Sequence, residues 1–230
     1  MTALVLMRLR GYAVTGRVLA PLLAGLVVLG TLYGGGQAQV GEAYGVSAAV
    51  LLPVLAWQTK MLLDVEPDTQ RRLAAIGVGS PVRECCCGLL AAGAAAVPVV
   101  LLAMMAPWIL NGIAGPQYPS DLSLGAGMAL GVWAHALLVP PAIVIGAWSS
   151  RAVTRTAGTG VTVLVAGTVG VVILGLQSSP VPWLAPPVLA VARFCERGGS
   201  WQALAMLTVW AVFWTAGAVV GYGALRRVRR

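Results

Sequence analysis

Residues 64–84, DVEPDTQRRLAAIGVGSPVRE, hold four of the chain's seven acidic residues and three of its fifteen basic ones, between two long apolar runs. The chain as a whole is 59% hydrophobic and 10% charged, so such a segment has to sit in water or against another protein. Its local signals predict a short helix outside hydrocarbon. Glu66 is placed to cap, Pro67 fits the first helical position, and Asp68 puts negative charge where the helix dipole favours it. Leu73 and Ile76 recur at helical spacing on one edge, while Asp68, Arg71 and Arg72 point elsewhere. Gly77 and Gly79 are stops, and Ser80-Pro81 opens the next segment. A solvated loop between two apolar runs is the alternative this pattern leaves open.

Outward from this segment the sequence turns apolar in both directions. A mean hydropathy of +0.87 over 230 residues is too high for one soluble core. Crossing about 30 Å of hydrocarbon takes about 20 mostly apolar residues. Six runs meet that need, at 18–34, 44–63, 86–109, 124–148, 157–176 and 201–224. An open sheet would leave its edges unsatisfied in lipid, and the alternation of a barrel is absent. The predicted class is therefore an all-α integral membrane bundle of six transmembrane helices, folded as one domain over 1–230.

The net charge of +8 follows the same topology. With the N-terminus inside and all six runs crossing, Arg8, Arg10, Arg17, Lys60, Arg71, Arg72, Arg83, Arg151, Arg155, Arg226, Arg227, Arg229 and Arg230 fall inside. Arg193 and Arg197 alone fall outside. A nucleic-acid face would gather its basic groups on one surface with interleaved aromatics, and this pattern does not. The expected location is the inner (plasma) membrane, multi-pass, with both termini cytoplasmic and the arginine-rich tail held by lipid headgroups.

Residues 1–17 mix leucine and valine with Arg8, Arg10 and Arg17, which predicts a helix lying in the cytoplasmic interface. Four prolines and then Val188, Leu189, Val191, Ala192 and Phe194 precede the sixth run. They predict a short external helix that re-enters the outer leaflet or caps the bundle. Gly127 and Gly131, and again Gly217 and Gly221, have the four-residue spacing that lets helices approach closely. Pro140-Pro141 is expected to bend or break the fourth run.

Chemistry-bearing residues are few. Cys85, Cys86 and Cys87 are consecutive, and no histidine is near enough in sequence to suggest a zinc site. They read as small thiols packed among helices, with a reactive or lipidated cluster as the alternative. His135 is the only histidine, within an apolar run. A neutral side chain bonded to a neighbouring helix and a residue of a transport pathway are the two readings open to it. The only lysine is Lys60, outside any phosphate-loop pattern, and neither a metal motif nor a nucleophile motif occurs. No carboxylate lies inside a run, so an ion-coupled carrier lacks its usual groups, and any uphill work has to come from a partner. Enzyme activity and a cofactor in this chain are not expected.

The order of these features resembles the type-2 ATP-binding-cassette (ABC) transporter permeases, in its six spans, N-terminal interfacial helix and long outer segment before the sixth span. LDVEPDTQRRLAAIGVGSPVRE at 63–84 is similar to that family's acidic stretch, short coupling helix and Ser-Pro-Val-x-Arg turn. The resemblance implies an exporter permease that pairs with a second copy or a paralogue. It further implies two cytosolic ABC ATPase subunits, which bind ATP and magnesium. Glu66, Pro67, Asp68, Gln70, Arg71, Arg72, Leu73 and Ile76 would then contact the ATPase, with the helix at Thr2–Thr15 packed nearby. A non-transporting membrane scaffold, gathering partners through its glycine faces and arginine tail, is the other function this sequence fits.

Overall fold

The computed structural model describes residues 1–118 and 121–228. Arg229 and Arg230, read above as part of the basic tail, lie outside the described residues. Ten α-helices account for most of the described chain. They are α1 (Thr2–Val14), α2 (Leu19–Tyr33), α3 (Val40–Leu63), α4 (Asp68–Gly77), α5 (Pro81–Ile109), α6 (Leu124–Trp148), α7 (Arg151–Thr154), α8 (Ala157–Leu174), α9 (Val188–Arg197) and α10 (Trp201–Val228).

Five of them, α3, α5, α6, α8 and α10, are long and apolar enough to cross a membrane, as a multi-pass membrane protein requires. The run at 18–34 forms the 15-residue α2, only about 22 Å long. It is set at 74° to α1, so the N-terminal pair is a bent unit. Each predicted apolar run holds one helix. The reason is simple: twenty apolar residues in a row satisfy their backbone only through intrahelical bonds.

Helix starts follow local chemistry. The Ser80 hydroxyl accepts from the Val82 N–H with Pro81 behind it, and Ser123 and Thr156 cap α6 and α8 in the same way. Two details differ from the expectation. Pro67 is the extended residue before α4, which begins at Asp68, and Glu66 makes no cap. Pro140 and Pro141 do not end α6, which runs on to Trp148. Neighbouring helices bury that stretch on all sides from Pro141 to Ala147, and tertiary packing holds the helical path.

α3 is the axis of the bundle. It packs against α2, α5, α6 and α9, and its middle buries Tyr44, Leu51, Leu52 and Ala56. Close approach on two sides depends on missing side chains. A Cβ on Gly127 or Gly131 of α6 would stand 2.7 Å from Val40 and 2.6 Å from Tyr44. On the other side, a Cβ on Gly45 of α3 would stand 2.7 Å from Cys195 Cβ and 2.8 Å from the Ala192 carbonyl of α9. α9 is thus seated in α3 through Val188, Val191 and Cys195. In α10, Gly221 lies against Trp148, but Gly217 has nothing within 4 Å and makes no helix contact inside this chain. The loops after α2 and α5, expected to be irregular, pair as two short parallel strands, β1 (Ala38–Gln39) and β2 (Ile113–Ala114).

Gly45→Ala should therefore cost about 1–3 kcal/mol, because the Ala192 backbone has to yield. Gly217→Ala should be neutral or stabilising by up to about 1 kcal/mol, since alanine is the better helix former. Thermal unfolding of the two variants in detergent separates these outcomes.

Candidate functional site

At the end of the bundle where α3 meets α4, the chain buries charge. Arg8 of α1 is 4% exposed, Glu66 is 7% and Glu84 of α5 is 2%. Arg8 Nε and Nη2 donate to Glu66 Oε2 at 3.1 and 2.7 Å. Nη2 also donates to Glu84 Oε1 at 2.5 Å, and Nη1 to the Glu84 carbonyl at 3.0 Å. The second oxygen of Glu84 accepts from Arg226 of α10 at 2.7 Å. Two guanidinium groups and two carboxylates thus join α1, the α3–α4 linker, α5 and α10. Gly88 makes room for this, because a Cβ there would stand 2.8 Å from Arg8 Nη1.

Burial alone would lower the Arg8 pKa, but the hydrogen bonds to Glu66 and then Glu84 outweigh it and hold it above its ordinary value. Arg8 is therefore a permanent cation, and each carboxylate beside it has a fixed partner. Glu66 Oε1 is buried with no partner among the described residues.

Two residues earlier, Asp64 faces the other way. Its Oδ2 accepts from Lys60 Nζ at 2.6 Å, its Oδ1 from the Arg151 backbone N–H at 2.7 Å, and its carbonyl from Arg17 Nη1 at 2.7 Å. The linker into α4 is therefore gripped from two sides. Lys60, at the inner end of its run, is itself buried in this pair.

Beyond that grip α4 projects outward and buries none of its residues. Leu73 and Ile76 are 68% and 77% exposed, and Pro67, Asp68, Gln70 and Arg72 are exposed beside them. Arg71 folds back to Asp68 on the same helix. Of the eight residues expected to meet a partner, seven lie on or next to this projecting helix. Glu66 does not: it turns inward and anchors it, and Arg71, although on the helix, keeps its side chain 10% exposed beside Arg8, Glu84 and Arg226.

The cysteines diverge. Cys87 is buried with its thiol 3.7 Å from the Met1 carbonyl, Cys86 is exposed, and Cys85 lines a small pocket with Arg8, Arg71, Glu84, Tyr222 and Arg226. Among the described residues no group of three His, Cys, Asp or Glu side chains is placed to hold a metal. His135 sits mid-bundle, away from the charged end. Its Nδ1 lies 2.8 Å from the Gly131 carbonyl, which only accepts, so Nδ1 carries the proton. Nε2 faces Ser47 Oγ at 3.3 Å. Above it the Tyr44 hydroxyl accepts from Trp108 and donates to the Met104 carbonyl. This is a satisfied polar chain between α3, α5 and α6.

Sequence reasoning missed the Arg8–Glu66–Glu84–Arg226 assembly. The available signal was scarcity: in a chain with seven acidic residues, Glu66 and Glu84 both stand at ends of apolar runs, where the basic residues also gather. Compared with family models, curated proteins and solved structures, the chain gives no match.

Arg8→Met should destabilise the fold by about 3–5 kcal/mol, because it strands buried Glu66 and leaves buried Glu84 with Arg226 alone. Adding Glu66→Gln and Glu84→Gln should recover part of that loss. A mutant cycle read by detergent thermal unfolding gives the coupling directly.

Proposed function

We propose that this chain is the membrane-spanning permease subunit of an ATP-driven ABC exporter. In this reading the α2 segment completes a sixth crossing, α1 lies in the interface, and both termini and α4 face the cytoplasm of the inner membrane. Two permease copies, or this chain and a paralogue, enclose the pathway. A pair of separate cytosolic ATPases supplies the work by binding ATP and magnesium.

One observation carries the reading: an exposed amphipathic helix rooted in buried ion pairs. A solvated loop has no need for Leu73 and Ile76 side by side in water, and two such residues on a charged helix form a small docking edge. A docking edge alone would also suit a scaffold. The root is what favours transmission. Any force on α4 passes through Asp64 and Glu66, two to four residues away, to α1, α5, α7 and α10 without a flexible joint. Gly217 leaves an open place on α10, which supports a second membrane chain packed there. The absence of carboxylates from the middle of the spans supports an energy source outside the chain.

The test is purification of the tagged chain with its membrane partners, followed by ATP hydrolysis in proteoliposomes. The wild type should retain a soluble phosphate-loop ATPase. Leu73→Asp with Ile76→Asp should lose it, and reversing Asp68 and Arg72 should weaken it tenfold or more. None of these changes should alter insertion or melting, since the positions are exposed. Retention of the ATPase by the double aspartate variant, or a wild type that never retains one, overturns the reading.

A further inference from the structure

At the opposite end of the bundle, a cavity of about 200 Å³ opens between the C-terminal end of α8, the proline-rich turn before α9, α9 itself and α10. Its lining is mostly apolar: Leu176, Pro182, Pro186, Pro187 and Ala190. Three polar side chains break that pattern, Gln177, Arg193 and Trp210, and the last two bear on what the cavity binds. Arg193 of α9 is half-buried and has no carboxylate within ion-pair distance among the described residues. Its one contact is a long hydrogen bond from Nη2 to the Gly175 carbonyl at 3.5 Å. Trp210 of α10 lines the same space, and its indole N–H is buried with no acceptor.

The contrast is with the arginines of the buried charged assembly and with the hydrogen-bonded tryptophans. At the charged end, Arg8 and Arg226 each meet carboxylates. Trp108, Trp133, Trp148 and Trp214 each donate their indole N–H to an acceptor within the chain. Among the described residues Trp210 has the one buried indole N–H without an acceptor, and it shares a cavity with the half-buried Arg193. An unpaired guanidinium and an orphaned N–H donor among apolar walls call for an anion with several oxygens. The volume corresponds to about seven waters at roughly 30 Å³ each, more than a bare carboxylate needs and enough for a phosphate with part of a glycerol unit. The helices on either side, α8 and α10, carry exposed apolar faces, including Val172, Ile173, Met206 and Phe213, along which acyl chains can lie.

We propose that this cavity binds the phosphate headgroup of a membrane glycerophospholipid, with Arg193 and Trp210 as its donors. Arg193 supplies charge and a two-pronged donor, Trp210 a neutral donor, and the prolines a stiff apolar rim. The site is independent of the ATPase contact, so its success or failure leaves that reading untouched.

Native mass spectrometry of the detergent-purified full chain tests it with three probes. They are a short-chain phosphatidic acid, the matching diacylglycerol, and inorganic phosphate. One phosphatidic acid should bind, at least tenfold more tightly than either of the other two. Arg193→Gln should weaken it about tenfold or more, and Trp210→Phe, which keeps the ring and removes the N–H, several-fold. Arg193→Lys keeps the charge without the fork and should fall between wild type and Arg193→Gln, which covers the case of a glutamine variant that fails to fold. Equal binding of diacylglycerol would reduce the cavity to an apolar groove, and equal binding of inorganic phosphate would remove the lipid from the proposal. Unchanged affinity in both Arg193→Lys and Trp210→Phe would overturn it outright.

Discussion

Arg8 is a charge held out of water, and the chain is arranged so that it never lacks a carboxylate. Removing an ion from water costs several kcal/mol after relaxation, and attraction at short range offsets this only when every donor is used. Arg8 uses all three of its nitrogens, on two carboxylate groups and one carbonyl. Such an arrangement adds little net stability compared with a well-packed apolar cluster of the same volume. What it adds is intolerance of displacement: shifting any one of the four joined segments strands a buried charge. Apolar contacts such as those of Tyr12, Leu62 and Ala91 beside them are non-directional, so these ion pairs are the discriminating contacts of this end.

Their effect on α4 comes from chain geometry. Asp64 and Glu66 are two residues apart in a linker too short to loop, and they are held by different walls of the bundle. The residue after them is a proline with its φ fixed, and the helix starts at once. α4 therefore leaves the bundle at a determined angle, and its own ion pair joins an exposed carboxylate, Asp68, to Arg71, whose side chain is 10% exposed. The rigidity belongs to the root, and the exposed apolar residues, Leu73 and Ile76, belong to the tip. Glu66, grouped with the tip residues by sequence reasoning, has the opposite job.

The long elements were legible because lipid leaves one solution to an apolar run of twenty residues, and that solution is local. Helix α4 was legible from Pro67, Asp68 and the Leu73–Ile76 spacing, all within one or two turns. The ion pairs were not. Arg8 is 58 residues from Glu66 and 76 from Glu84, and Glu84 is 142 from Arg226. Several other arginines near the same end could have paired with the same carboxylates on sequence grounds. The seat of α9 was hidden for a similar reason. Gly41 and Gly45 have close-approach spacing, but it straddles the start of the predicted run at 44–63, and nothing in the sequence says that α9 is what packs there. The β1–β2 pair, two residues on each side, is below any sequence signal.

The two ends and the middle of the bundle solve the problem of polar groups differently, and under the proposed permease function this bears on where a pathway would run. At the charged end every guanidinium in the assembly is neutralised within the chain. In the middle, His135, Ser47, Tyr44 and Trp108 satisfy one another and nearby carbonyls, so a solute entering there has to displace bonds already made. α3 fills the axis with Leu51, Leu52 and Ala56, each at most 2% exposed. A route for cargo through one copy would require this core to come apart. A route between two copies requires only that exposed faces of the outer helices meet, and rocking each bundle as a unit about a stiff root then changes their separation. Such motion needs a bundle that does not deform internally, which is the mechanical property that the buried charges at one end and the glycine-seated α9 at the other both confer.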